Sequence, residues 1–229
     1  MSCSLVKAIW RLNQLFLLSK CNKVLTSGSS QICDNRVVTF DWEAEMPKTA
    51  FLFSGHMIDA PDRAQPRFPP RLESRVAAEI SQKLDLFEPT AADVAIGSGA
   101  CGSDILFGEA MVARSVPLRL HLPFDEPAFI ENSVRFAGEE WVERYRRLAG
   151  NAAMLLAPDL LGSLQPGDDP YQRTNLWMLA EAQRLTVGPV VFLCVWDGQG
   201  GDGPGGTKHM VDAIRENGGK VEWIDISGL

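Results

Sequence analysis

The sequence is short of the residues that announce the commoner chemistries. Its 229 residues include 3 histidines and 5 cysteines, with no CxxC, HxH or HExxH spacing that would gather them on a metal. No GxSxG elbow and no Walker A lysine loop is present. A serine hydrolase and a P-loop ATPase are therefore not expected, an ordinary dinucleotide dehydrogenase is disfavoured too, and no metal or cofactor is assigned. A surplus of positive charge is also missing: 22 Lys+Arg stand against 29 Asp+Glu, a formal charge of -7. That balance argues against general affinity for nucleic acid or an anionic membrane, while leaving room for a small anionic ligand in a locally positive pocket. The most apolar N-terminal stretch is broken by Lys7, Arg11, Asn13 and Gln14, so neither a membrane span nor an export signal is expected. The odd, scattered cysteines read as reduced thiols of a cytoplasmic protein.

What the chain does have is a 45% hydrophobic content, enough for a sizeable core. Residues 1–48 differ from the rest and read as an N-terminal extension. Ile9, Leu12, Leu15 and Phe16 recur at helical spacing, which predicts a short amphipathic helix, and the SGSS segment at 27–30 reads as a loop. From residue 49 onward, apolar runs of strand length alternate with helical stretches. TAFLFSG, ADVAIGSG, PLRLHLPF, NAAMLLAP, GPVVFLCVWDG and KVEWIDI are the expected strands. The expected helices are RLESRVAAEISQKLDLF, SDILFGEAMVARS, EEWVERYRRLAG, YQRTNLWMLAEAQRL and GTKHMVDAIRENGG. Strands that are apolar on both faces imply a mostly parallel sheet covered by helices. The fold class is thus α/β, Rossmann-like and doubly wound, over residues 49–229.

In such sheets ligands sit beyond the carboxyl ends of the strands, so three loops draw attention. Gly97, Ser98, Gly99, Gly102, Ser103 and Asp104 form a glycine-rich turn between a strand and a helix. Its amides can approach a ligand, and Ser103 or Asp104 can cap the helix. A second turn, DGQGGDGPGGTKHM, contains Asp197 and brings Gly205, Gly206 and Thr207 to a helix start, where amides and a hydroxyl suit phosphate. The third begins with Ser54, Gly55 and His56 and continues through Asp59, Arg63 and Arg67 among prolines that stiffen it. The two arginines suit a phosphate or carboxylate. Alternative structural roles stand beside each: a plain tight turn, a helix cap, a solvated arginine.

Taken together, FLFSGHMIDAPDRAQPRFP, GACGSDILFGEAMVARSVPLRLHLPFD and VWDGQGGDGPGGTKHMV resemble the SLOG superfamily of Rossmann-like domains, in the branch found in bacterial signalling proteins. The resemblance covers about residues 49–227. It implies recognition of a nucleotide or nucleotide-derived small molecule in a sensing role, and it leaves room for a homodimer. The superfamily also includes the LOG enzymes, which cut the bond between base and ribose 5′-monophosphate and carry PGGxGTxxE. The corresponding PGGTKHMVD supplies Gly205, Gly206 and Thr207 to the phosphate loop in shortened form. The glutamate has no counterpart, because its place falls at Met210 and Asp212 lies further along. The alternatives are a nucleotide hydrolase cleaving an N-glycosidic or phosphate bond, with Asp59, Asp104 or Asp197 as its carboxylate, and a protein-interaction module using residues 1–48.

Overall fold

The computed structural model describes residues 46–200 and 205–229 together with two short strands near the N-terminus. The chain divides into units Met1–Met46 and Pro47–Leu229. In the first, β1 (Ser30–Cys33) pairs antiparallel with β2 (Arg36–Thr39). Ser30, read from sequence as loop, thus opens a strand, and the expected helix around Ile9 to Phe16 lies outside the described residues.

The second unit carries a six-stranded sheet formed by β3 (Ala50–Gly55), β4 (Val94–Gly97), β5 (Leu118–Leu122), β6 (Ala152–Leu156), β7 (Val190–Trp196) and β8 (Val221–Asp225). Its order is β6-β5-β4-β3-β7-β8, and every pairing is parallel. Seven α-helices accompany it: α1 (Glu73–Asp85), α2 (Ser103–Ala113), α3 (Glu126–Ser133), α4 (Glu139–Ala149), α5 (Ala157–Leu161), α6 (Pro170–Leu185) and α7 (Thr207–Glu216). The fold is the Rossmann-like α/β arrangement expected from the alternating pattern.

The period-2 geometry of the strands divides the core between the two faces of the sheet. Ala50 and Leu52 of β3 join Met178, Ala182, Val211 and Ile214 of α6 and α7. Phe51 and Phe53 instead join Val76, Ile80, Phe107 and Tyr145 of α1, α2 and α4. Phe53 stacks on Phe107 with centroids 4.6 Å apart. Each such ring, removed fully from water, contributes roughly 1.5–3 kcal/mol, so the central strands are secured from both sides.

Two helices were not legible as runs of apolar residues. α3 starts at Asp125, whose carboxylate accepts from the Ala128 N–H, with a proline in the first turn. α5 is a short turn of helix directly after β6. α6 begins with the same device as α3: Asp169 accepts from the Gln172 N–H, and Pro170 occupies the first helical position.

Candidate functional site

The chain runs from β3 outward through β4, β5 and β6, then returns to place β7 on the other side of β3. The reversal leaves a crevice above the C-terminal ends of β3 and β7, where Gly55 is level with Val195. A cavity of about 340 Å³ opens there, within the size range of small-molecule sites. Ser54, Gly55, His56, Arg63 and Arg67 line it from the β3 loop, Ser98 and Asp104 from the β4 loop, and Gly205, Gly206 and Thr207 from the β7 loop. Of the residues expected at the site, Asp59, Gly97, Gly99, Gly102, Ser103 and Asp197 are not part of the lining.

The first glycine turn is occupied by its own side chain. Gly97, Gly99 and Gly102 do have GxGxxG spacing, which alone reads as a pyrophosphate turn and weakens the sequence-based expectation against a dinucleotide enzyme. Asp104, however, folds back into it. Its Oδ1 accepts from Ser98 Oγ at 2.9 Å, and backbone hydrogen bonds from Ser98, Gly55 and Gly99 favour its charged form. Burial outweighs these donors and pushes the carboxyl up to about 6. The other donors nearby are spoken for: Cys101 N–H donates to Ser133 O, and Ser103 donates to His56 O through its amide and through Oγ at 2.7 Å. Neither Ser103 nor Asp104 caps α2. The N-cap is Gly102, without a side-chain cap and at φ 92°. A Cβ at Gly102 would come within 2.4 Å of the Ile58 amide nitrogen, and one at Gly55 within 2.2 Å of Ser103 Oγ. The glycines here let the β3 loop and α2 touch.

The start of α7 lacks the side-chain occupant that fills the first turn. Gly206 is the N-cap of α7 and offers no side chain to the first turn, so the leading amides of that helix have no intrahelical acceptor. Thr207 is 6% exposed and lines the cavity, and among the described residues its hydroxyl has no hydrogen-bond partner. Gly205 itself is fitted closely against α6. Gly205 sits at φ +83°, so close to α6 that a Cβ would lie 2.5 Å from Gln172 N. Asn175 Nδ2 donates to Gly205 O at 2.6 Å.

The third loop is fastened by Asp59, which accepts from the amides of Arg67 and Phe68 at 3.0 Å and stands 3.4 Å from Arg63 Nε. Asp59 thus holds the arginines' loop in place. His56 meets Asp197 from the end of β7: its Nε2 lies 3.1 Å from Oδ1 and 3.2 Å from the Asp197 N–H. The carboxylate contact requires a protonated Nε2 and the amide contact a bare one, so the pair accommodates either state of the ring. Burial lowers the His56 pKa, Asp197 opposes it, and Arg67 and Arg63 lower it further. For Asp197, burial acts upward but is outweighed by the Gln199 amide, His56 and Arg67, and the net shift is downward.

The rest of the wall comes from residues that sequence reasoning assigned to core or left unread. Phe129, Ser133, Phe136, Tyr171, Asn175 and Trp196 all reach the cavity. Tyr171 Oη and Ser133 Oγ are 3.1 Å apart, joining α6 to α3 beside it. The aspartate and proline at the two helix starts were the only signal for those on or beside α3 and α6, and Trp196 was read as the end of strand β7. Among the described residues, no group of three or more His, Cys, Asp or Glu side chains is arranged to hold a metal ion, and no helix is long and apolar enough to cross a membrane. Cys101 and Cys194 are buried free thiols, both raised to about 12 chiefly by burial.

No family model matches the chain, and no curated protein matches it. Among solved structures, it is similar to DNA processing protein A (DprA) from Streptococcus pneumoniae at 12% identity and a TM-score of 0.34. The match covers 80% of this chain and 59% of that one, a distant geometric likeness that identifies no function.

Proposed function

We propose that the cavity binds a nucleotide or nucleotide-derived small molecule, with a phosphate against the N-terminus of α7, and that the domain serves as a ligand sensor in signalling. The observation that carries the reading is the Thr207 hydroxyl: on a residue only 6% exposed, lining the cavity and without a partner among the described residues. Because the oxygen is not sealed from solvent, it is free to bond a ligand that displaces the water beside it. The N–H groups and dipole of the ten-residue α7 favour an anion there. Arg63 and Arg67 bring positive charge to the same cavity, and the aromatic wall offers surfaces for a base.

Equilibrium dialysis against ribonucleoside mono- and diphosphates, cyclic nucleotides, NAD and ADP-ribose, analysed by mass spectrometry, tests this directly. At least one phosphate-bearing compound is expected to be retained. Thr207→Val should weaken its binding roughly tenfold or more, the worth of a hydrogen bond to a charged group, while Thr207→Ser should bind almost as the wild type. A panel with no retained compound would overturn the reading.

A further inference from the structure

We propose that His56 is a general base that hydrolyses a phosphate ester of the nucleotide held in the cavity, with Asp197 positioning its ring. This rests on the phosphate placement proposed above and adds a reaction to it. His56 is 7% exposed and lines the cavity. Its Nε2 faces Asp197, and among the described residues its Nδ1 has no hydrogen-bond partner, yet it is not sealed off from the cavity's solvent. Nε2 is held by Asp197, whose carboxylate lies at 3.1 Å and amide at 3.2 Å, and in the tautomer with the proton on Nε2, directed at the carboxylate, the open Nδ1 can accept a proton. Its neighbours match the task. Asp197 favours the imidazolium that forms when a proton is taken up, and Arg67 and Arg63 are close enough to act electrostatically on the ring. The same guanidiniums can stabilise charge developing on phosphate oxygens. The dyad is assembled from the ends of two adjacent strands, β3 and β7, at the reversal of strand order.

In the step, a water O–H gives its proton to His56 Nδ1 as the water oxygen bonds to phosphorus. The P–O bond to the ribose oxygen breaks, and that oxygen leaves with a proton returned from the imidazolium or from solvent. Nucleotide and water become nucleoside and inorganic phosphate, with nothing oxidised or reduced.

The test incubates the full chain with the four ribonucleoside 5′-monophosphates in ¹⁸O-labelled water and follows phosphate and nucleoside by mass spectrometry. Labelled inorganic phosphate is expected. His56→Ala should lower its rate at least a hundredfold, and added imidazole should restore part of it, which a purely structural role would not allow. Because that variant removes a buried ring, Asp197→Asn is measured beside it. The wild-type rate should rise with pH through a single ionisation below the ordinary histidine value, and in Asp197→Asn this limb should move to lower pH, because the carboxylate that raises the His56 pKa is gone. Monophosphate retained but never cleaved would overturn the hydrolysis and leave the binding reading standing. Cleavage that is insensitive to His56→Ala, or that releases free base in place of phosphate, would also overturn it. Neither cleavage here nor retention of any compound in the dialysis panel would remove both.

Discussion

Two buried side chains set opposite pH responses in the same window. Asp104 is raised to about 6 by burial. Folding therefore favours its protonated form, and the associated stability is fully present below the unfolded value near 4 and lost as the pH rises through 6. His121 on β5 is fully buried, with neither ring nitrogen hydrogen-bonded among the described residues, packs edge-on against Trp177 at 4.4 Å and is lowered to about 4, chiefly by burial. Its stability is present above the unfolded value near 6.5 and lost as the pH falls toward 4. Each shift corresponds to about 3 kcal/mol at about 1.4 kcal/mol per unit, so in the wild type the two partly offset. Single variants separate them in thermal melts. The Tm advantage of Asp104→Asn over wild type should grow from pH 4 to 7, while that of His121→Leu should grow from pH 7 to 4. Parallel curves for either variant would remove that residue from the account. The sequence offered Asp104 as a cap or a ligand contact; that it neutralises its own glycine turn depends on the approach of Gly55, which lies 49 positions earlier.

At the scale of elements, the two helix starts in the cavity do different work. α2 enters with Ser103 donating to the β3 loop and Ile105 to Ala100 O, while the turn before it donates to Asp104, so it joins elements. α7 enters with no side-chain cap among the described residues, which suits the ligand role proposed for it. Gly102→Ala tests the first role. The added Cβ would press on the Ile58 amide at a positive φ, and the variant should lose about 1–3 kcal/mol in chemical denaturation. The order of strands and helices was legible because fully apolar strands and amphipathic helices alternate so regularly. α3 escaped because FIENSV lacks a helical apolar stripe and only its Asp125–Pro127 start marks it. The same two glycine turns drew attention in sequence, but spacing could not say which one the chain fills itself; that depends on side chains brought in from other loops.

For the whole molecule, the six parallel strands set a gradient of local stability. β3, β4, β5 and β7 are flanked by strands on both sides, whereas β6 and β8 are the edges, and β6 is only half-buried. Hydrogen exchange should find the slowest amides in β3, β4, β5 and β7 and the fastest sheet amides in β6 and β8. Uniform protection across the sheet would contradict this order.

The crevice between β3 and β7 also dictates when in its life the protein acquires a site. Ala50 lies beside Val190, two residues separated by most of the domain, and closing that long loop is the slow, entropically costly part of building such a sheet. Until it closes, His56 has no Asp197, Arg63 and Arg67 have no α7 across from them, and a ligand has one wall to lean on. A growing chain therefore completes the proposed site only once β7 and α7 have been added, and a ligand that binds the paired state alone would hold that pairing shut.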